Sequence, residues 1–309
     1  MRGPVAEQET PVDLWDANAT RRLLDELFSF ARQYRTSAEY RALLKFIIRF
    51  PALAPYNAML VYIQMAGAQF VLPAHRWTKQ FGRTVKANAR PLVILRTMGP
   101  VEFVFDVSDT EPGPDAKPLP KDVTDPFAVR AGFVGGEWEL TIENAKRDGV
   151  AVLPRKEGSQ SGGSIRAAGG AGYLSFFAGN DRKGNPKFVE VSHHYDIIIN
   201  DQSSLEVRYA SLAHELGHLY CGHVGTPNRK WWPDRRKADK NVVEFEAESV
   251  AYLVCGRRGI ETPSAEYLAG YFGKNLEVPE MSVDAVMKAA GTVEKMGQKR
   301  LKPREEEKE

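Results

Sequence analysis

Apolar positions recur at helical spacing through the N-terminal part of the chain. From Ala19 to Tyr34, the residues Leu23, Leu24, Leu27, Phe28 and Ala31 fall on one face, which predicts an amphipathic helix. Thr36 and Glu39 have capping-box spacing and open a second helix carrying Leu43, Leu44, Ile47 and Ile48. Pro51 and Pro55 close it. A third helix is expected from about Tyr56 to Met65, with Gly67 just past its end. The pattern then turns β-rich. Pro91 to Arg96 and Val101 to Asp106 flank Met98-Gly99-Pro100, which predicts a hairpin. Farther on, Tyr195-Asp196-Ile197-Ile198-Ile199 reads as a buried strand. Leu205 to Ala213 follows without Gly or Pro and reads as a helix, with Asp201, Ser203 or Ser204 as its N-cap. Val242 to Tyr252 predicts another helix, and Thr262-Pro263 opens one more with Pro at its first position.

Between the two patterned regions, Glu111 to Pro126 holds Pro112, Pro114, Pro118, Pro120 and Pro126 among charges. Such a stretch is stiff and has little apolar surface to pack, so it marks a domain boundary. The expected organisation is α+β: a helical and β N-terminal domain over 19–110, a linker over 111–126 and a second domain over 127–298. Residues 1–18 are expected to be poorly ordered, and the charge-dense tail 299–309 disordered. Gly158 to Gly172 reads as a flexible loop; it lacks the Lys-Ser/Thr ending of a phosphate-binding loop and receives no phosphate role. No apolar run is long enough to span a bilayer, and the polar start Met1-Arg2-Gly3-Pro4 lacks a signal-peptide pattern. With Cys221 and Cys255 as the only cysteines, a reducing compartment and a cytoplasmic location are expected, with no membrane partner.

Charge changes this picture. The net charge of +2 hides a segment, Tyr40 to Val101, with no Asp or Glu. It carries Arg41, Lys45, Arg49, Arg76, Lys79, Arg83, Lys86, Arg90 and Arg96, interleaved with Tyr56, Tyr62, Phe70, Trp77 and Phe81. Cations that track a phosphate backbone, with aromatics to stack on bases, are what single-stranded nucleic-acid binding uses. Tyr62 lies in an apolar helical run and reads as core; Trp77, between Arg76 and Lys79, is the stacking candidate.

The sharpest chemistry lies in His214-Glu215-Leu216-Gly217-His218. Positions i and i+4 of a helix share a face, so both imidazoles can hold one metal ion, with Glu215 as general base. Gly217 costs a helix roughly 1 kcal/mol relative to Ala, which is tolerable where another backbone, or the metal, must come close. A catalytic zinc takes three protein ligands and keeps one position open. Glu244 and Glu248 sit i, i+4 on the second helix, and Glu246 points elsewhere. Glu244 would ligate while Glu248 receives the free N–H of a ligating imidazole; the reverse assignment stays open, and Cys221 and His223 compete as ligands. Arg229 to Lys240, with Trp231 and Trp232, falls between the two helices and reads either as part of a binding surface or as a basic loop anchored by a buried Trp.

The run from Arg208 to His218, followed by Glu244-Phe245-Glu246-Ala247-Glu248, resembles the ImmA/IrrE family of zinc metallopeptidases. Pro55-Tyr56-Asn57-Ala58-Met59-Leu60, Trp77-Thr78-Lys79-Gln80 and Gly82-Arg83-Thr84-Val85-Lys86 are similar to the N-terminal domain of ArdC-type antirestriction proteins. The resemblance implies a single-stranded-DNA-binding domain followed by a zincin-like metallopeptidase domain. It implies Zn2+ on His214, His218 and Glu244, with Glu215 catalytic, and nucleic-acid contacts from Tyr56, Asn57, Trp77, Lys79, Arg83 and Lys86. Family members act on DNA-associated proteins, so a substrate of that kind is implied. Two other functions fit the residues: a non-proteolytic DNA-binding antirestriction protein with a structural zinc, and a zinc hydrolase of a small molecule. Tyr220 and His223 are candidates for stabilising the oxyanion.

Overall fold

A computed structural model describes residues 34–96, 101–120, 132, 134–156 and 162–304. The expected helix from Ala19, the turn at Met98-Gly99-Pro100 and the end of the tail therefore lie outside the described residues. Helix α1 (Ser37–Arg49) starts where the capping box places it: Thr36 Oγ1 accepts from Glu39 N–H, and the Glu39 carboxylate accepts from Thr36 N–H. Its apolar face buries Tyr40, Leu43, Leu44 and Ile47. Helix α2 (Pro55–Gln64) follows, with Pro at its first position.

Next come β1 (Val71–Leu72), helix α3 (Ala74–Phe81), β2 (Arg83–Val85), β3 (Leu92–Leu95), β4 (Val101–Asp106) and β5 (Thr110–Pro112). Strands β3 and β4 pair antiparallel, Leu92 opposite Val104 through Leu95 opposite Val101, as the β-rich pattern predicts. The sheet order is β1-β4-β3, and β2 pairs with β5 alone. Two side-chain amides bind α2 to the free edge of β3. Asn57 exchanges two hydrogen bonds with the Leu95 backbone, and Gln64 does the same with Val93. They complete the edge as a neighbouring strand would.

The remaining elements are helix α4 (Glu137–Arg147), β6 (Val150–Arg155), β7 (Gly163–Ala167), β8 (Tyr173–Asn180), β9 (Pro186–Ser192), β10 (Tyr195–Asn200), α5 (Leu205–Tyr220), α6 (Lys240–Gly256), α7 (Pro263–Lys274) and α8 (Val283–Gln298). Strand β10 is the predicted buried strand and lies at the centre of a mixed sheet, parallel to β6 and antiparallel to β7. Strand β7 is thus an edge; β8 and β9 form a separate ribbon. Helices α5, α6 and α8 pack into one core that also takes in α1 and α2. Arg257, 5% exposed, fastens these parts together. It donates to the carbonyls of Ile47 (2.7 Å), Phe50 (3.0 Å), Pro51 (3.4 Å) and Leu53, and pairs with Glu294 on α8.

The tail departs from expectation over its described part. Instead of leaving the surface at Lys299, the chain packs as far as Arg304. The Leu301 N–H donates to Asn144 Oδ1, and the Arg304 guanidinium lies over the Trp231 and Trp232 rings and beside Asp148. Leucine burial and cation–π contact offset the ordering of this segment. Both cysteines are free and buried. Among the described residues, no helix is long and apolar enough to cross a membrane.

Candidate metal centre

Ser204 is the residue that caps α5, accepting from Val207 N–H. The helix then runs unbroken through the motif and crosses α6 closely at Gly217. A Cβ there would lie 3.2 Å from both the Cα and the carbonyl oxygen of Ala247. The helix-weakening glycine is the residue that lets α6 approach.

That crossing sets which acidic residue faces which ring nitrogen. His214 Nε2 and His218 Nε2 lie 3.0 Å apart. Glu244 Oε2 is 3.6 Å from the first and 3.8 Å from the second. A tetrahedral ion with Zn–N bonds of about 2.0–2.1 Å holds its donors roughly 3.3 Å apart, so these three atoms fit one zinc. Glu248 Oε1 stands at the back of the same imidazole, 3.6 Å from His214 Nδ1. The Glu244 carboxylate is thus on the side where the two Nε2 atoms converge, and Glu248 is behind the His214 ring.

Electrostatics follow from this geometry. Burial opposes a charge on His214, but hydrogen bonds to Glu244 and Glu248 overcome it and pull the imidazole up to about 10. His218 is driven the other way, down to about 3, first by burial and then by charge on His214. The hydrogen bond from His214 holds Glu244 below the usual carboxylate range. Without a cation, a proton on His214 therefore neutralises the donor set. Glu215 is buried beside it, and its carboxylate accepts from the Ile165 N–H of edge strand β7. Burial, with Glu244 and Glu248 adding to it against His214, raises Glu215 to about 7.

Both sequence candidates for the oxyanion fall away from the cleft. Tyr220 is buried and donates to Asp148 at 2.8 Å. His223 lies behind His218, its Nε2 2.8 Å from the buried Glu246 carboxylate. A phenol that sequence reasoning missed is Tyr267 on α7, 40% exposed; burial and then the carboxylates of Glu248 and Glu244 raise its pKa. Nothing local marks it; only the packing of α7 against α6 brings it near.

The expected nucleic-acid residues divide sharply. Trp77 is not available for stacking: it is fully buried, its indole N–H donates to the Phe105 carbonyl, and Phe70 and Phe81 surround it. The short amphipathic α3 turns Trp77 inward and Arg76 and Lys79 outward. Asn57 is committed to Leu95, and the half-buried Tyr56 hydroxyl donates to Asp284. Arg83 donates to both oxygens of Thr110, and Lys86 to the Ser108 carbonyl. Lys79 faces solvent. In the segment between α5 and α6, Trp232 is buried with its N–H on the Gly225 carbonyl, and Arg235 turns inward to Glu246.

Residues 176–255 match the model of the IrrE N-terminal-like domain, Peptidase_M78. The stretch holds both helices of the centre, so the chain carries an IrrE-like, metallopeptidase-like segment there. No curated protein matches the chain. Among solved structures it is similar to the antirestriction ArdC protein from the R388 plasmid. The Mn(II)-bound form is 17% identical with a TM-score of 0.33, and the metal-free form 16% with 0.31. Each alignment covers 78% of this chain and 81% of that one. A likeness this distant decides nothing about this chain.

Proposed function

We propose that the chain is a zinc-dependent endopeptidase whose metal is held by His214, His218 and Glu244. The observation that carries this is the convergence of their three ligand atoms at zinc spacing, with a buried general base beside them. Three protein donors with an open position are the catalytic pattern, whereas structural zinc sites close with four. Bound there, zinc polarises a carbonyl and acidifies water.

The chain's own residues supply the remainder. Glu215, buried beside the ligands and oriented by Ile165 N–H, takes a proton from the attacking water and hands it to the leaving amine. Edge strand β7 runs over this carboxylate and offers its backbone to an extended peptide, which favours a polypeptide substrate over a small molecule. The test compares proteolytic fragments in host cells carrying the wild-type chain or Glu215→Gln. Fragments that disappear in the variant, with metal content unchanged, support peptidase activity; identical fragment sets reject it.

The exposed cations Arg76, Lys79, Lys86 and Arg90 support single-stranded DNA binding through phosphates, with a DNA-associated protein as the substrate. Titration of a labelled single strand at two salt concentrations tests this. Each phosphate contact contributes about 0.7 to the slope of log affinity against log salt. Affinity that ignores salt excludes the reading.

A further inference from the structure

The rear nitrogens of the two histidines are supported differently. His214 has a carboxylate behind it, whereas His218 Nδ1 faces another imidazole, His223 Nδ1, at 3.1 Å. His223 Nε2 in turn lies 2.8 Å from Glu246 Oε2. The two Glu246 oxygens also receive Arg235 at 2.5 and 2.7 Å, and the Ser282 N–H at 2.7 Å. This carboxylate is fully buried, and its neighbours come from three separate parts of the chain.

We propose that His223 and Glu246 are positioning residues that fix the tautomer and aim of His218, with Arg235 and Ser282 anchoring the outer end. The inference rests on the metal centre above. The direction of the hydrogen bonds sets the tautomers. Guanidinium and backbone N–H groups can only donate, so Glu246 is the acceptor of the chain. His223 must then donate from Nε2, and as a neutral imidazole it keeps a lone pair on Nδ1. His218 must donate from Nδ1, which leaves the Nε2 lone pair facing His214 and Glu244. The neutral imidazole of His218 is thereby presented as a ligand before any ion arrives.

Local structure serves this arrangement. Gly222 adopts φ +85°, and a Cβ on it would come within 2.1 Å of the Pro233 carbonyl oxygen. That turn brings His223 back under α5, where its N–H donates to the His218 carbonyl. Arg235 also donates to the Cys221 carbonyl and, through its backbone N–H, to Gly222. The ligand atoms of Cys221, His223 and Glu246 lie within 4.8 Å of one another, close enough to suggest a second metal site. Arg235 argues against it, because a guanidinium already occupies the carboxylate and cannot be deprotonated in a protein.

The test measures Zn2+ affinity by competition with a chromophoric chelator for wild type, His223→Leu and His223→Gln. Removing the acceptor in His223→Leu should weaken affinity about 10–100-fold. His223→Gln keeps an oxygen to accept from His218 and should stay within about threefold of wild type. Wild-type affinity in folded His223→Leu overturns the relay alone. Failure of the wild-type chain to bind zinc overturns relay and metal centre together. Two zinc equivalents in wild type falling to one in His223→Leu overturn it in favour of a second site. Nitrogen-15 NMR of the zinc-loaded wild-type histidines needs no variant. Protons on His218 Nδ1 and His223 Nε2 support the relay; a proton on His223 Nδ1 overturns it.

Discussion

Replacing Glu215 by Gln should make the metal-free protein more stable while abolishing hydrolysis. The carboxyl is 6% exposed and is raised from its ordinary 4.5 to about 7, chiefly by burial. A carboxyl whose folded value exceeds its unfolded one binds protons more tightly when folded, so stability falls as pH rises. Nothing is lost below 4.5, the loss accumulates between 4.5 and about 7, and it is constant above that. The full loss is about 3 kcal/mol at about 1.4 kcal/mol per pH unit. Glutamine has nearly the same shape, does not ionise and can still accept from Ile165 N–H. Urea unfolding of chelator-treated wild type and Glu215→Gln at pH 4, 6 and 8 measures the effect. The two should coincide at pH 4, separate by pH 6 and differ by about 3 kcal/mol at pH 8, with the variant more stable. Adding zinc should shrink the difference, because a cation favours the ionised carboxylate. A gap that does not change with pH, or a variant less stable at pH 8, would refute the claim that this carboxylate is buried at an energetic cost.

Other substitutions probe the frame around it. Arg257→Ala should lower unfolding free energy by about 3–5 kcal/mol, since it strands Glu294 and removes the donor to the Ile47, Phe50, Pro51 and Leu53 carbonyls; urea midpoints check this. Gly217→Ala raises helix propensity but drives a methyl against Ala247. Overpacking of about 1–3 kcal/mol should win, and zinc affinity should fall with it. Tyr267→Phe should lower kcat about 100- to 1,000-fold with zinc content unchanged if the phenol touches the developing oxyanion; an unaltered kcat removes it from the mechanism.

What the sequence made legible is what depends on neighbours within a turn or two. The Thr36–Glu39 cap, the Ser204 cap, the i, i+4 histidines and the buried run at Ile197 are of this kind, and each is found where the pattern places it. Trp77 is core rather than a stacking surface, because flanking cations say nothing about which face of a helix is turned inward. On α3 the aromatic face packs against Phe70 and Val107 while the cations stay wet. Glu246 went unrecognised for a different reason. It does point away from Glu244, as helical spacing requires, but its partners His223, Arg235 and Ser282 are distant in sequence and share no local pattern with it. The choice between Glu244 and Glu248 was equally non-local, since it depends on where α6 crosses α5. Yet that crossing leaves one local trace. Gly217 is the residue an isolated helix would least want within its motif, and it stands where Ala247 comes closest. A position that weakens its own element is explained by what must approach it, so a helix-weakening residue inside a strong helical pattern marks where a second element is held.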